Sequence, residues 1–162
     1  MTIWARIQKL SLGQLWKLSI LFLSRPRLIA PTLRATHKTM EICDRLYGKE
    51  HHKSTRGNAF RHAFWNYLMC HEHYKLVKNE QKAVIWAKKV TDLYEKVTQN
   101  SIMDEKMDLH NNKIGRVQFQ LNTLLNEEEM VSFFTEKAKK AVKITSVNEN
   151  YPQNELVYII AQ

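Results

Sequence analysis

The 162-residue chain has only four glycines and three prolines, too few turn residues for a β-sandwich or β-barrel. Its two cysteines, Cys43 and Cys70, cannot form a disulfide framework, and a four-thiolate zinc site is excluded. They read as small apolar core residues in a reducing compartment. Long apolar runs are missing as well. No uncharged stretch reaches the ~20 residues that a membrane-spanning helix needs. The longest clean run of the amino-terminal arm, Leu18 to Ser24, is short for the apolar part of a secretory signal, and no Ala-x-Ala follows it, which argues against the general secretory route.

A further absence is local. Residues 1–40 contain no Asp or Glu but hold Arg6, Lys9, Lys17, Arg25, Arg27, Arg34 and Lys38, a charge of +7. The other 122 residues carry 18 basic and 16 acidic side chains, or +2 of the total +9. A nucleic-acid-binding domain spreads basic residues over a folded face, so this distribution argues against a nucleic-acid partner. Residues 1–30 read as a basic apolar arm, with Trp4, Trp16 and the run Ile20-Leu21-Phe22-Leu23. Trp, Leu and Ile with Lys and Arg but no acid is the composition of a helix lying in a lipid interface, where an anionic leaflet attracts it. The same residues also suit a first core helix, a protein-binding arm or, less well for want of Ser, a transit peptide.

What is present in quantity is apolar surface, 44% of residues, in helical rather than alternating patterns. Residues 31–162 read as one all-α domain, a compact bundle of five to seven helices counting the arm. Expected helices run over about 32–47, 57–76, 80–97, 103–125 and 127–142. Leu33, Met40, Cys43, Leu46 and Tyr47 form the apolar stripe of the first of these, and Gly48 ends it. Ser54 or Thr55 is placed to cap the next, and Glu127-Glu128-Glu129 favours the last start. The segment Leu156 to Ile160 suits a short strand or a tucked tail.

Three segments carry polar residues where a bundle helix would be apolar. In GNAFRHAFWN, Asn58, His62 and Asn66 fall at i, i+4 and i+8, with Arg61 and Trp65 on the adjacent line. In TDLYE, Asp92 and Glu95 are three apart and should project together. In MDLHNNKIGR, Asp108, Asn111, Asn112 and Gly115 share a face, with His110 to one side and Arg116 one turn on. His62, Asp92, Glu95 and Asp108 would suit one divalent cation, which lowers the pKa of a bound water. They equally suit metal-free hydrolysis with His62 as base, oriented by Asp92 or Asp108. Arg61 or Arg116 could hold a phosphate or an oxyanion. Each residue also has a purely structural reading, since His–Asp and Asn pairs often register helices. The adjacent His51-His52 of the polar loop 49–56 and His71-x-His73 lack the three- or four-residue spacing of helical metal ligands.

NAFRHAFWN, TDLYE and MDLHNNKIGR together resemble an uncharacterised bacterial domain family with the pattern Asn-x-x-Arg-His-Ala-x-Trp-Asn, Asp-x-His-Glu, Met-Asp-x-His-Asn-Asn-x-x-Gly-Arg. The resemblance covers about residues 32–125. It implies a compact helical domain of a kind sometimes found at the ends of secreted or toxin-like proteins. It also implies a polar set of Asn58, Arg61, His62, Trp65, Asn66, Asp92, Glu95, Asp108, His110, Asn111, Asn112 and Arg116. Tyr94 stands where the pattern has His, which removes a ligand or base if that His serves as one.

The function expected from arm and polar set together is a hydrolase at a membrane surface, acting on phospholipid ester or phosphodiester bonds. Catalysis would rest with His62, Asp92, Glu95, Asp108 and His110, and substrate binding with Asn58, Arg61, Trp65, Asn66, Asn111, Asn112 and Arg116. The alternatives are a nuclease or other phosphodiesterase, and a non-enzymatic helical adaptor. The expected setting is the bacterial cytoplasm or its membrane surface, with delivery into another cell as the variant that the toxin-like resemblance implies.

Overall fold

The structure, a computed structural model, describes residues 11–98, 101–123 and 125–160. It is an all-α bundle with six α-helices among the described residues. Helix α1 (Leu12–Leu23) starts in a reciprocal box in which Ser11 Oγ accepts from the Gln14 amide while the Gln14 side chain accepts from the Ser11 amide. A 3-10 turn over Pro26–Leu28 leads into α2 (Ile29–Tyr47). This helix starts three residues before the expected position. Pro31 is tolerated in the first turn, where its missing N–H has no intrahelical partner to lose. Gly48 ends α2 at φ +52°.

The expected apolar stripe of α2 is corrected. Leu33 and Leu46 are exposed, and the helix buries Thr32, Ala35, Thr39, Ile42 and Cys43. Two threonines can face the core because their hydroxyls donate back to the carbonyls of Leu28 and Ala35. The loop 49–56 contains a 3-10 turn, Glu50–His52, with His51 fully buried. Thr55 precedes α3 (Arg56–Val77), but its hydroxyl donates to Glu50 O instead of capping the helix.

Helix α3 is the axis of the bundle. It packs against α2, α4 (Glu80–Thr98), α5 (Ile102–Leu121) and α6 (Glu127–Lys139). Helices α5 and α6 run shorter than expected, by four and three residues at their carboxyl ends. One side of α3 presents Phe64 and Tyr67 to Phe134 and Phe119, with ring centroids 5.4–6.0 Å apart, and Phe60 stacks on Phe64 at 5.1 Å. Each such pair adds ~0.5–1.5 kcal/mol beyond its burial. The other side carries the polar line Asn58–His62–Asn66, so α3 has no solvent face for most of its length. Cys43 and Cys70 are fully buried free thiols, and burial pushes both up to about 12, which makes them inert core residues.

The carboxyl-terminal segment is a strand. Val157–Tyr158 (β2) pairs in parallel with Val142–Lys143 (β1), in the register Val142 with Val157 and Lys143 with Tyr158. Helix α1 rests on α4 through Gln14, whose amide donates to Val97 O, and through Phe22, set edge-on to Trp86. None of its residues is buried. No helix among the described residues is long and apolar enough to cross a membrane.

A buried histidine between two carboxylates

The three polar segments lie on α3, α4 and α5, and these helices bring His62, Glu95 and Asp108 together. His62 Nδ1 is 3.3 Å from Glu95 Oε1, and Nε2 is 3.3 Å from Asp108 Oδ1. All three side chains are buried. The close crossing of α3 and α5 that permits this depends on Gly115, packed against the Ala63 backbone.

The donor pattern assigns the imidazole tautomer. Arg61 Nη2 lies 2.8 Å from His62 Nε2, and a guanidinium can only donate, so Nε2 accepts. The ring proton therefore sits on Nδ1, facing Glu95 and Asn112 Oδ1 at 3.2 Å. Asn112 Nδ2 donates to Glu95 Oε1, and Asn112 Oδ1 accepts from Asn66 Nδ2 at 2.6 Å. Asn66 Oδ1 in turn accepts from Arg116 Nη1 at 2.7 Å and from the Thr91 hydroxyl at 3.2 Å. A single network thus runs from Arg61 to Arg116 through the centre of the bundle. Burial raises the Asp108 carboxyl to about 7, a shift opposed by His62 and reinforced by Glu95. Burial also holds the Arg116 guanidinium below its ordinary value, opposed by Asp92.

Several expected site residues stand elsewhere. Asp92 pairs with Lys88 on the outer side of α4, because packing turns Glu95, three residues on, inward. His110 Nε2 donates to Glu155 O at 2.9 Å, and its ring meets Tyr151 edge-on. Asn111 clamps the backbone of Val157 at both ends, its Nδ2 donating to the carbonyl and its Oδ1 accepting from the amide, each at 2.9 Å. These two residues tie down the carboxyl-terminal strand instead of joining the cluster. Asn58 is buried on α3, with its Oδ1 unpartnered among the described residues. Trp65 donates to the Thr36 hydroxyl at 2.9 Å and stands edge-on to Tyr94, the residue in the position where the pattern has His.

A cavity of about 10 Å³ touches His62 and is lined by Thr36, Thr39, Met40, Arg61, Trp65 and Tyr94. That is about the size that holds one water. Of its lining residues Thr36 and Met40 are half-buried, whereas Arg61, Trp65 and Tyr94 are only 7–9% exposed. The groove of about 820 Å³ between α2, α3 and the start of α6 shares none of these lining residues. Reading the sequence missed Thr36 and Thr91, whose hydroxyls orient Trp65 and Asn66. Their position one helical turn from other polar core residues was the available signal.

His62, Glu95 and Asp108 each offer a ligand atom within 4.8 Å of the others. Glu95 Oε2 is buried without a hydrogen-bond partner among the described residues. One imidazole and two carboxylates, that of Glu95 with an unpaired oxygen, are a three-ligand set for a divalent cation with one coordination position left for water, and a cation at Nε2 would take the lone pair that Arg61 now bonds. A bound cation would supply a water of lowered pKa.

Comparison with curated proteins and with solved structures gives no match. A family model described as "Domain of unknown function (DUF6973)" matches residues 19–155, which include α2 to α6 and every residue of the buried cluster. The chain belongs to that uncharacterised domain family.

Proposed function

We propose that this protein is a hydrolase acting at an anionic membrane surface, on phospholipid ester or phosphodiester bonds, with His62, Glu95 and Asp108 holding one divalent cation. The observation that carries this reading is the histidine with a carboxylate 3.3 Å from each ring nitrogen, buried beside the unpaired oxygen Glu95 Oε2. Arg61, which lines the cavity and is bonded to His62, is the group that would meet a phosphate or an oxyanion. Substrate would enter where Trp65 and Tyr94 close the small cavity, so opening requires those two rings to part. The membrane half of the reading rests on α1. Its outward face carries Leu12, Trp16, Ile20 and Leu23, all more than half exposed, with Lys17, Arg25 and Arg27 alongside. The setting is the bacterial cytoplasmic membrane, or that of another cell if the toxin-like resemblance holds.

The non-enzymatic adaptor is favoured by one observation: the whole network is satisfied internally apart from a few atoms, and little void adjoins it. The experiment is release of fatty acid or phosphorylated head group from anionic vesicles by the full chain, with and without a chelator. Activity abolished by His62→Ala and by Arg61→Ala in folded protein is expected. Degradation of DNA or RNA instead would select the nuclease reading. An inert wild type that retains vesicle or protein binding would select the adaptor.

A further inference from the structure

A second group of metal-ligating side chains lies outside this centre, where α2 ends and the 3-10 turn begins. Asp44, His51 and His52 each bring one ligand atom within 4.8 Å of the others. His51 is fully buried, with Nε2 2.8 Å from Asp44 Oδ1, and its ring lies 3.9 Å from that of His52, centroid to centroid. His51 Nδ1 and His52 Nδ1 are both buried and have no hydrogen-bond partner among the described residues. Buried ring nitrogens usually find a partner, and two orphans on adjacent residues form an uncommon pair. The two histidines are consecutive, so helical spacing rules are silent about them. In the 3-10 turn Glu50–His52 the two rings nevertheless meet, tilted by 42° to one another.

We propose that Asp44, His51 and His52 form a zinc-class transition-metal site that is separate from the His62 centre. Two imidazoles and one carboxylate are a ligand set that suits zinc and its first-row neighbours, with a fourth position open to solvent. Ligands bound at ~2.0 Å in a tetrahedron stand ~3.3 Å apart. The separation must therefore contract by about an ångström and a half from the 4.8 Å limit. Asp44 can supply part of that movement by exchanging its bond to His51 Nε2 for the cation, because its side chain is 64% exposed, whereas His51 is held by the core.

The test uses the full chain carrying His62→Ala, which removes the imidazole of the other cluster, titrated with Co²⁺ and followed by its visible ligand-field absorption. Saturation at one equivalent is expected, with Zn²⁺ displacing the cobalt. Adding Asp44→Asn or His52→Ala should weaken binding by at least about tenfold, the scale that even outer-shell changes reach. Asp44 is exposed and His52 half-buried, and far-ultraviolet circular dichroism checks that both variants fold. Absence of Co²⁺ binding, or binding equal in the parent and both variants, overturns the proposal. So does binding seen only when His62 is restored. Because no outcome reads hydrolysis, failure of the hydrolase reading leaves the result intact.

Discussion

A Cβ placed on Gly115 would lie 2.0 Å from the carbonyl oxygen of Ala63. No other residue type allows α3 and α5 to cross at this distance. His62 is the residue before Ala63, so the same crossing sets its distance to Asp108.

Gly115→Ala should therefore cost at least ~3 kcal/mol, at the upper end of overpacking because the clash is with backbone. For a chain of this size that is a fall in Tm of roughly 6–12 °C. A thermal melt checks it, and an unchanged Tm would mean that the helices can separate at little cost.

Asn111→Ala should release the carboxyl-terminal strand from α5. The Val157 amide and carbonyl would lose both partners at a buried position, a cost of ~2–4 kcal/mol. Faster hydrogen exchange at the Val157 amide and earlier proteolysis between 145 and 156 are expected, while the melting of the helices stays cooperative. Unaltered protection at Val157 would remove the clamp from the account.

His73 makes part of the stability depend on pH. It is fully buried between α2 and α4, with Nε2 near the Thr32 hydroxyl and Leu28 O, and burial lowers it from 6.5 to about 4. The unfolded chain takes up this proton first as pH falls. The contribution is thus complete above pH 6.5 and lost progressively between 6.5 and 4, amounting to ~3 kcal/mol. Denaturant melts of wild type and His73→Gln across that window should converge as pH falls. Parallel curves would show that His73 does not carry the effect.

On α1, Trp16→Ala removes the largest outward apolar group without touching the contacts of Gln14 and Phe22. Loss of ~1.5–3 kcal/mol of lipid burial should weaken sedimentation with anionic vesicles by about tenfold or more. Binding by the wild type should fall with added salt, since its basic residues act through a screened surface potential. The Tm should hold, because α1 buries no residue. A lowered Tm with unchanged vesicle binding would make this face part of the fold.

Local signals were legible in the sequence because they act within a few residues. Gly48 stops α2, and Glu129, in the acidic first turn of α6, closes a capping box with Asn126. The polar line Asn58–His62–Asn66 is a matter of helical period alone, and α3 keeps it on one side. The stripe of α2 was misread because exposure of Leu33 and burial of Thr39 depend on which face meets α3, and Thr can satisfy its own hydroxyl.

What the sequence by itself determined is therefore the all-α class, the near-neutral body with a basic arm, and three helices bearing polar residues. Those follow from composition and from periods of three to four residues. Only the tertiary structure decided which of those residues meet. Consecutive residues on a helix point about 100° apart, so His110, Asn111 and Asn112 reach Glu155, Val157 and the His62 cluster respectively. The rotation of α4 about its axis puts Glu95 inside and Asp92 outside. Helix rotation is set by how side chains from other helices fill the core, and residues that are distant in sequence supply those.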